Sequence, residues 1–372
     1  MSTEKVAYPQ TERQRKLQQV SFDPSTIMTR DLPRDTVLKG IHFRLSGSIV
    51  TTFPSGTPIA DALSTLDNLI PRIDVVVGGS RTVKSVRPYL LRMQQMLSTK
   101  ILAERKSSAG SAAAKNNNPT ADSGFVYGTT TQYTTVAESV YLPFEMIWAD
   151  QSKGREATWL NLKGVPSAEL RFTGAAESAL LGFGNSAPVT YSSDTFVVDI
   201  TTVEAQDVPP QIVFSDWKQT TKTLTFAAQT TDYLIDINRG NKLSGLWFLT
   251  RDGAAGSSTT ASGKLLDNNV LARIQLLVNG QTTIKDTTFQ QLQAENRLRS
   301  GVYAPFSSNV SLLDGVAFMN LLARNDASTA LDVAPPMVDQ VQVSVDTNDS
   351  SIVDYTNPAE VTIQTDEIVV PR

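Results

Sequence analysis

Two segments about two hundred residues apart carry nearly the same sequence. Residues 72–86 read RIDVVVGGSRTVKSV and residues 273–287 read RIQLLVNGQTTIKDT, with six identities in fifteen positions. Most of the other pairs exchange one apolar or one polar residue for another. A chain that repeats itself at this spacing contains two copies of one structural unit. This duplication favours a structural function, set by the arrangement of the two units, over a catalytic one.

Each copy contains a two-residue turn, Gly78 and Gly79 in the first and Asn279 and Gly280 in the second. A type I′ turn needs positive φ at both central residues, so Gly-Gly and Asn-Gly are strong short-range indicators of a β-hairpin. We therefore expect these four residues to have a structural role, at the tips of two equivalent hairpins.

The elements around the hairpin recur in the same order in both halves. The matching pairs are 37–43 with 242–248, 66–68 with 266–268, 88–97 with 289–293, 158–162 with 329–333, and 168–172 with 339–343. The pair at 88–97 and 289–293 predicts a short helix after each hairpin, and the last pair alternates with period two as half-buried strands do.

Strand-like alternation bounded by Gly, Pro, Asn and Ser predicts an all-β fold, a sandwich or jelly roll with a few short helices. A length of 372 residues accommodates two domains. We expect an N-terminal arm at 1–30, a first unit at 31–205, a linker at 206–212 and a second unit at 213–372. A polar, low-complexity insertion at 98–130 explains why the first unit is longer.

The expected arm is basic because of Arg13, Arg15 and Lys16. Thr11 and the residues after it fit a capping box, which predicts a short helix through Gln19. Its apolar content is too thin for a core element. Such an arm either contacts a partner or a polyanionic surface, or it is a frayed terminus.

Charge is distributed unevenly along the chain. Residues 331–372 carry eight acids against one arginine, and residues 81–106 carry seven bases against one glutamate. Opposite charges of this kind suit subunits that must find neighbours; the alternative is two ordinary solvated faces. The basic stretch has one aromatic residue, Tyr89, and no nucleic-acid motif, so we expect no sequence-specific nucleic-acid binding.

The sequence predicts no catalytic residues, no cofactor and no metal site, so we expect a protein that is not an enzyme. It contains no cysteine and one histidine, His42, which lies in an alternating segment typical of a strand. A glycosidase pair from Glu138 with Glu145 or Asp150 is conceivable, but isolated acids are common. The four tryptophans fit core or interface packing better than sugar stacking. They are Trp148, Trp159, Trp217 and Trp247.

Two tandem β-units with a basic N-terminal arm, a one-sided polar insertion and no catalytic set resemble the double-jelly-roll major capsid proteins. That lineage includes tailless icosahedral bacteriophages with an internal membrane, and adenovirus hexon. The duplicated hairpin, the strand at 141–144 and the turns at 158–162 and 329–333 carry the resemblance. It implies two tandem eight-stranded jelly rolls with short helices and an N-terminal arm.

The resemblance also implies a structural role in a virion. Homotrimers would form pseudo-hexagonal capsomers that tile an icosahedral shell, in contact with neighbouring capsomers, vertex (penton) proteins and minor capsid proteins. Arg13, Arg15 and Lys16 would face inward, toward an internal lipid membrane or a neighbouring capsomer. Since no apolar leader opens the sequence, we expect synthesis in the host cytoplasm.

Two other functions fit a β-rich chain without cysteine. One is a phage fibre or receptor-binding protein, although fibres usually show short repeats or a shaft. The other is a jelly-roll carbohydrate-binding module.

Overall fold

Paired β-strands make up most of the computed structural model. It describes residues 11–51, 65–99, 121–123, 132–147, 156–175, 196–209, 211–253, 265–300, 315–323 and 326–369. None of the helices in these ranges is long and apolar enough to cross a bilayer. Most of the predicted insertion at 98–130 lies outside the described residues, as do Trp148 and Asp150.

Among the described residues, the first lobe is formed by strands β1 to β11 and two helices. Its strands are β1 (Glu12–Lys16), β2 (Val20–Ser21), β3 (Ile27–Asp31), β4 (Val37–Thr51), β5 (Arg72–Val77), β6 (Arg81–Val86), β7 (Ala121–Ser123), β8 (Gln132–Pro143), β9 (Leu160–Asn161), β10 (Ala168–Thr173) and β11 (Val197–Ala205). Its helices are α1 (Thr65–Leu69) and α2 (Pro88–Thr99).

The second lobe is formed by strands β12 to β21 and one described helix, α3 (Phe289–Ser300). Its strands are β12 (Asp216–Phe226), β13 (Tyr233–Asp236), β14 (Lys242–Asp252), β15 (Leu265–Leu266), β16 (Leu271–Val278), β17 (Thr282–Thr287), β18 (Val316–Asn320), β19 (Leu331–Asp332), β20 (Val341–Thr347) and β21 (Ala359–Val369).

The described strands form three sheets, and the largest is shared by both lobes. A seven-stranded sheet of the first lobe has the order β1-β11-β4-β8-β7, with β2 and β9 beside it. A ten-stranded sheet runs β15-β14-β21-β12-β6-β5-β10-β3, with β18 and β19 against β14. A four-stranded sheet of the second lobe has the order β13-β20-β16-β17. Each lobe is therefore two facing sheets, and the two lobes are joined edge to edge.

The two lobes repeat the same antiparallel strand pairings. Strand β4 lies between β11 and β8 and also pairs with β9, just as β14 lies between β21 and β18 and pairs with β19. The hairpin β5–β6 and its neighbours β10 and β3 correspond to β16–β17, β20 and β13. The duplication predicted from sequence is confirmed by this topology.

Corresponding positions in the lobes carry corresponding contacts. A buried ion pair joins Arg92 of α2 to Asp67 of α1 in the first lobe. In the second lobe Gln293 of α3 donates a hydrogen bond to Asn268 at 2.7 Å. Asp67 therefore corresponds to Asn268 and not to Asp267, so the predicted match of 66–68 with 266–268 is wrong by one position. The position of the ion pair in the first lobe is therefore occupied by a pair of hydrogen-bonded amide side chains in the second.

The predicted match of 168–172 with 339–343 is wrong by two positions. Ala168 pairs with Val77 in the first lobe, and Val341 pairs with Val278 at the equivalent position in the second. Because a strand has a side-chain period of two, this shift left the buried and exposed faces unchanged and the alternation alone did not reveal it.

Each lobe encloses its own hydrophobic core. Residues of β10 alternate between buried and half-buried, with Ala168, Leu170 and Phe172 facing the core of the first lobe. The corresponding β20 contributes Val343 and Val345 to a separate core in the second lobe. In each lobe, alternate residues of this strand therefore face the core, as the period of two in the sequence predicts.

The helix predicted from Thr11 to Gln19 is wrong. Residues Glu12–Lys16 form β1, which pairs with β11 from Ala205 back to Thr201. The local capping-box pattern is overridden because an extended segment satisfies the backbone groups at the edge of β11. Strands β1 to β3, within the range expected to form a separate arm, thus belong to the sheets of the first lobe.

Candidate functional site

The two lobes meet where β6 of the first lobe lies beside β12 of the second. The strands are parallel, with Lys84 opposite Gln219 and Ser85 opposite Thr220. The hydroxyl of Thr221 also donates to the Ser85 carbonyl at 2.8 Å. This interlobe junction makes the ten-stranded sheet continuous, so it fixes the relative position of the two lobes.

Lys84 is the central cation of the junction, and its side chain is 0% exposed. Its Nζ donates a 2.9 Å hydrogen bond to Oε1 of Gln219. The same Nζ lies 3.7 Å from the ring centroid of Trp217, within the range of a cation–π interaction. Lys84 of the first lobe is therefore held by two residues of the first strand of the second lobe.

Asp366 of β21 is the buried anion of the same cluster. Its Oδ1 accepts hydrogen bonds from Gln219 Nε2 at 2.9 Å and from Gln364 Nε2 at 3.0 Å. Its Oδ2 accepts one from the indole Nε1 of Trp247 at 3.1 Å. Gln219 thus bridges Lys84 and Asp366, and it connects a cation of one lobe to an anion of the other.

Burial disfavours both charges of this cluster. Desolvation lowers the pKa of Lys84 well below its ordinary value, and the charges of Asp366 and Asp216 oppose that change. Desolvation likewise raises the pKa of Asp366, opposed by its hydrogen bonds and by Lys84. Such a pair requires its full set of partners, because either charge left alone in this interior would be costly.

A second ionic group surrounds the cluster. Arg87, directly after β6, pairs with Glu360 of β21 at 2.9 Å, and Arg251 of β14 pairs with the same carboxylate. Arg81 at the start of β6 pairs with Asp216 at the start of β12. Bases from the 81–106 stretch therefore contact acids of the second lobe within the chain. The interpretation of both charged stretches as ordinary solvated faces is wrong for Arg87 and Glu360, which are largely buried, whereas the side chain of Arg81 remains half exposed.

Helix α2 adds an apolar contact to the junction. Its residues pack against β14 and β18 of the second lobe, where the rings of Trp247 and Phe318 are stacked at 4.2 Å between centroids. The residues that form this cluster are Tyr89, Leu90, Met93, Met96, Leu97, Trp247, Leu249, Val316 and Phe318. The first lobe is thus attached to the second by a strand edge and by a helix.

The four predicted hairpin residues lie at the tips of β5–β6 and β16–β17. Their φ angles are 65° and 81° at Gly78 and Gly79, and 54° and 67° at Asn279 and Gly280. These are the left-handed values that a type I′ turn requires. Asn279 also accepts hydrogen bonds through its side chain from the backbone of Asp339 and Gln340.

The structure places the basic residues of the predicted arm on β1. Arg15 forms an ion pair with the buried Glu204 at 2.9 Å, and Lys16 forms one with Asp199 at 3.1 Å. The side chain of Arg13 is exposed. The three residues therefore lie along one edge strand of the first lobe.

Residues considered for chemistry occupy structural positions. His42 lies in β4 as predicted, with its ring tilted by 35° against the ring of Tyr141 at 4.5 Å between centroids. Trp159, Trp217 and Trp247 are buried, which confirms packing as their role. Within the described residues, no cluster of three or more His, Asp or Glu side chains is arranged to hold a metal ion.

Sequence reasoning missed the interlobe cluster of Lys84, Gln219 and Asp366. One indication was available, because Lys84 is among the six identities of the repeat and lies between valine and serine in a predicted strand. A second was the C-terminal strand β21, whose run AEVTIQTDEIV mixes acids with β-branched residues and is buried almost throughout.

Several solved structures share this arrangement over nearly their whole length. The major capsid protein of Sulfolobus turreted icosahedral virus matches with a TM-score of 0.62 at 14% identity, covering 97% of each chain. VP54 of PBCV-1 matches with a TM-score of 0.61 at 11% identity, covering 98% of this chain and 95% of that chain. The chain has the double-jelly-roll fold of viral major capsid proteins.

The double jelly roll predicted from sequence is therefore confirmed. A third structure, the major capsid protein P2 of bacteriophage PM2, matches with a TM-score of 0.53 at 12% identity. The match covers 97% of this chain and 98% of the PM2 protein. No protein-family model and no curated protein matches the sequence.

Proposed function

We propose that this chain is the major structural subunit of an icosahedral virus shell and forms homotrimeric, pseudo-hexagonal capsomers. The observation that carries the proposal is the double jelly roll itself, shared with viral major capsid proteins across nearly the whole of both chains. The role is structural and not catalytic, and its location is the virion, after synthesis in the host cytoplasm.

The physical basis is the repetition of one lobe within the chain. Three copies around a threefold axis present six similar lobes, and a nearly hexagonal unit tiles a closed shell through lateral contacts. Tiling requires a fixed angle between the lobes. The buried cluster of Lys84, Gln219 and Asp366 supports such rigidity, because its charges and amides are satisfied in one register.

The partners of the proposed capsomer are neighbouring capsomers, vertex (penton) proteins and minor capsid proteins. Arg13, Arg15 and Lys16 are proposed to contact an inner lipid membrane or a neighbouring capsomer. A basic residue near an anionic lipid surface gains about 1 kcal/mol. Replacing Arg13 and Lys16 with glutamine should reduce cosedimentation with anionic vesicles, and unchanged cosedimentation would count against the lipid contact.

The mass of the purified protein in solution tests the capsomer. Light scattering should give three times the chain mass of 40.4 kDa. Negative-stain images of the same sample should show a compact particle with a hexagonal projection. A protein that stays monomeric at all concentrations, or an elongated trimer with a shaft, would overturn the proposal.

A further inference from the structure

The interlobe junction uses one surface of each lobe and leaves the equivalent surface of the other lobe unused. The first lobe contributes its hairpin edge β6 and its helix α2, and the second contributes its first strand β12. By the duplication, the second lobe has a hairpin edge β17 with helix α3, and the first lobe has a first strand β1. Among the described residues, β17 pairs with β16 only and β1 with β11 only.

The register of the sheets fixes which residues correspond on the two first strands. Gly40 of β4 pairs with Val203 of β11, and Gln14 of β1 pairs with the same Val203. In the second lobe Gly245 pairs with Asp366, and Gln219 pairs with the same Asp366. Since Gly40 and Gly245 hold equivalent positions, Gln14 corresponds to Gln219, and the residue type is the same.

The register of the hairpins fixes the other side. Lys84 pairs with Val75 and Lys285 pairs with Leu276, each just before a bulge at the same place in the hairpin. Lys285 is therefore the equivalent of Lys84. The two residues that face each other inside the junction, a lysine and a glutamine, recur unchanged on the two unused edges.

Exposure distinguishes the used surface from the unused one. Leu97 on α2 is 8% exposed and packs in the apolar cluster with the second lobe, whereas its equivalent Leu298 on α3 is 75% exposed. Val83 on β6 is buried in the core of the first lobe, whereas its equivalent Ile284 on β17 is 43% exposed. The second hairpin and its helix thus present two large apolar side chains to solvent.

The surface that would receive α3 also has a counterpart. Helix α2 covers the stacked rings of Trp247 and Phe318, and the equivalent cross-strand pair in the first lobe is His42 and Tyr141. The latter pair lies at 4.5 Å between centroids, and His42 is exposed. The first lobe therefore presents an aromatic pair in the place where the second lobe presents the pair covered by α2.

Charge is also complementary at these edges. In the junction Ser85 lies opposite Thr220. The equivalent residues on the unused edges are Asp286 on β17 and Arg15 on β1, which carry opposite charges. Within the chain Arg15 pairs with Glu204 and Asp286 pairs with Arg273. A contact that repeats the junction would bring these two ion pairs together next to Lys285 and Gln14, and Arg13 and Lys16 would remain for the lipid or capsomer contact proposed above.

We propose that the second lobe of one copy docks on the first lobe of another copy by repeating the interlobe junction. Strand β17 lies parallel to β1 with Lys285 opposite Gln14, and α3 covers the rings of His42 and Tyr141. The partner is a second copy of this chain. The inference rests on the proposed trimer and deepens it, because the contact is head-to-tail and three such contacts close a ring of six lobes.

Disulfide trapping tests this contact, because the chain contains no cysteine. Residues opposite each other on paired strands lie within the Cα separation that a disulfide spans. Gln14→Cys and Lys285→Cys are prepared as separate full-length variants, mixed, unfolded and refolded together, and oxidised. We expect a covalent dimer on non-reducing gels in the mixture and none in either variant alone.

Two controls complete the experiment. Lys84→Cys with Gln219→Cys in one chain should form the corresponding disulfide within a monomer, which checks that the junction geometry permits the bond. Gln14→Cys mixed with Ile352→Cys, at an exposed site outside β17 and α3, should give no covalent dimer.

A substitution on α3 provides a second measurement that does not depend on oxidation. Leu298→Glu should weaken association at least tenfold in sedimentation velocity, whereas the matched Ile352→Glu should leave it unchanged. If the wild-type protein forms a trimer but the mixture of Gln14→Cys and Lys285→Cys gives no disulfide, or Leu298→Glu leaves association unchanged, the inferred contact would be overturned and the proposed capsomer would remain intact. A wild-type protein that never associates would overturn both.

Discussion

Replacing Lys84 with methionine should destabilise the protein far more than the same replacement at Lys285. Methionine keeps most of the apolar stem of lysine and removes the charge. Lys84 is fully buried between the lobes, whereas the equivalent Lys285 is only half-buried. The two variants therefore form a matched pair in which the chemistry of the change is constant and the surroundings differ.

The expected magnitude follows from the contacts of each lysine. Without Lys84, the Oε1 of Gln219 loses its donor at 2.9 Å and Asp366 loses the nearby cation. Removing one partner of a buried ionic cluster costs about 3–5 kcal/mol. Lys285 forms one ion pair, with Glu295 at 2.5 Å, and partly exposed pairs contribute about 0–1 kcal/mol. The expected difference between the variants is roughly 3 kcal/mol.

Urea unfolding followed by tryptophan fluorescence and circular dichroism measures this difference. Trp217 and Trp247 both contact the cluster, so fluorescence should report the opening of the junction. All proteins are compared at one concentration, because association shifts apparent stability. A Lys84→Met variant within about 1 kcal/mol of wild type, or equal losses for both variants, would refute the role assigned to the buried cluster.

Four further substitutions test other parts of the fold. Gly245→Ala should lower the stability to thermal unfolding by about 1–3 kcal/mol, because the added Cβ would meet the buried ring of Phe318. Gly40→Ala should lower it less, because the ring of Tyr141 that its Cβ would meet is partly exposed and free to move. Equal losses for the two variants would contradict this reasoning. Arg92→Gln should lower the free energy of unfolding in urea by about 3–5 kcal/mol, because it leaves the buried carboxylates of Asp67 and Glu138 without their cation. The loss is expected even though glutamine, as Gln293, occupies the equivalent position of the second lobe. Packing of its ring against Tyr141 partly desolvates His42 and lowers its pKa, so the unfolded chain takes up the proton first and stability should fall as pH drops below about 6.5. His42→Gln should lack that component, and parallel melting curves at pH 7.5 and 5.5 would show whether it does.

The parts of the fold that sequence predicted are those specified by local chemistry. Gly78 and Asn279 indicated hairpins because few residues adopt positive φ at low cost, and both have it. The segments around Leu160 and Leu331 were matched because the same run of residues recurs, and in the structure each contains a short strand that pairs with the equivalent long strand. Repetition supplied the order of the elements, and with it the fold class.

The junction could not be predicted because its contacts are set by distant parts of the chain. Lys84 and Lys285 occupy equal positions in nearly equal sequences, yet one is buried and the other half-buried. The difference arises from what lies beside the strand edge, and no property of the segment itself encodes that. The same limit explains the predicted helix at Thr11, where pairing with β11 overrode a local pattern.

The sequence difference between the helices α2 and α3 of the two lobes indicates at which stage each helix surface is covered. The face of α2 that meets the second lobe carries Tyr89, Leu90 and Met93, whereas α3 has Gln290, Gln291 and Ala294 at the same positions. A contact made within one chain forms as the chain folds, so an apolar face there is never presented to other proteins. A contact made between copies is exposed until they meet, and a large apolar patch in that interval would promote non-specific association. The polar face of α3, with Leu298 as an isolated apolar residue, is the composition expected if this surface is covered only on assembly.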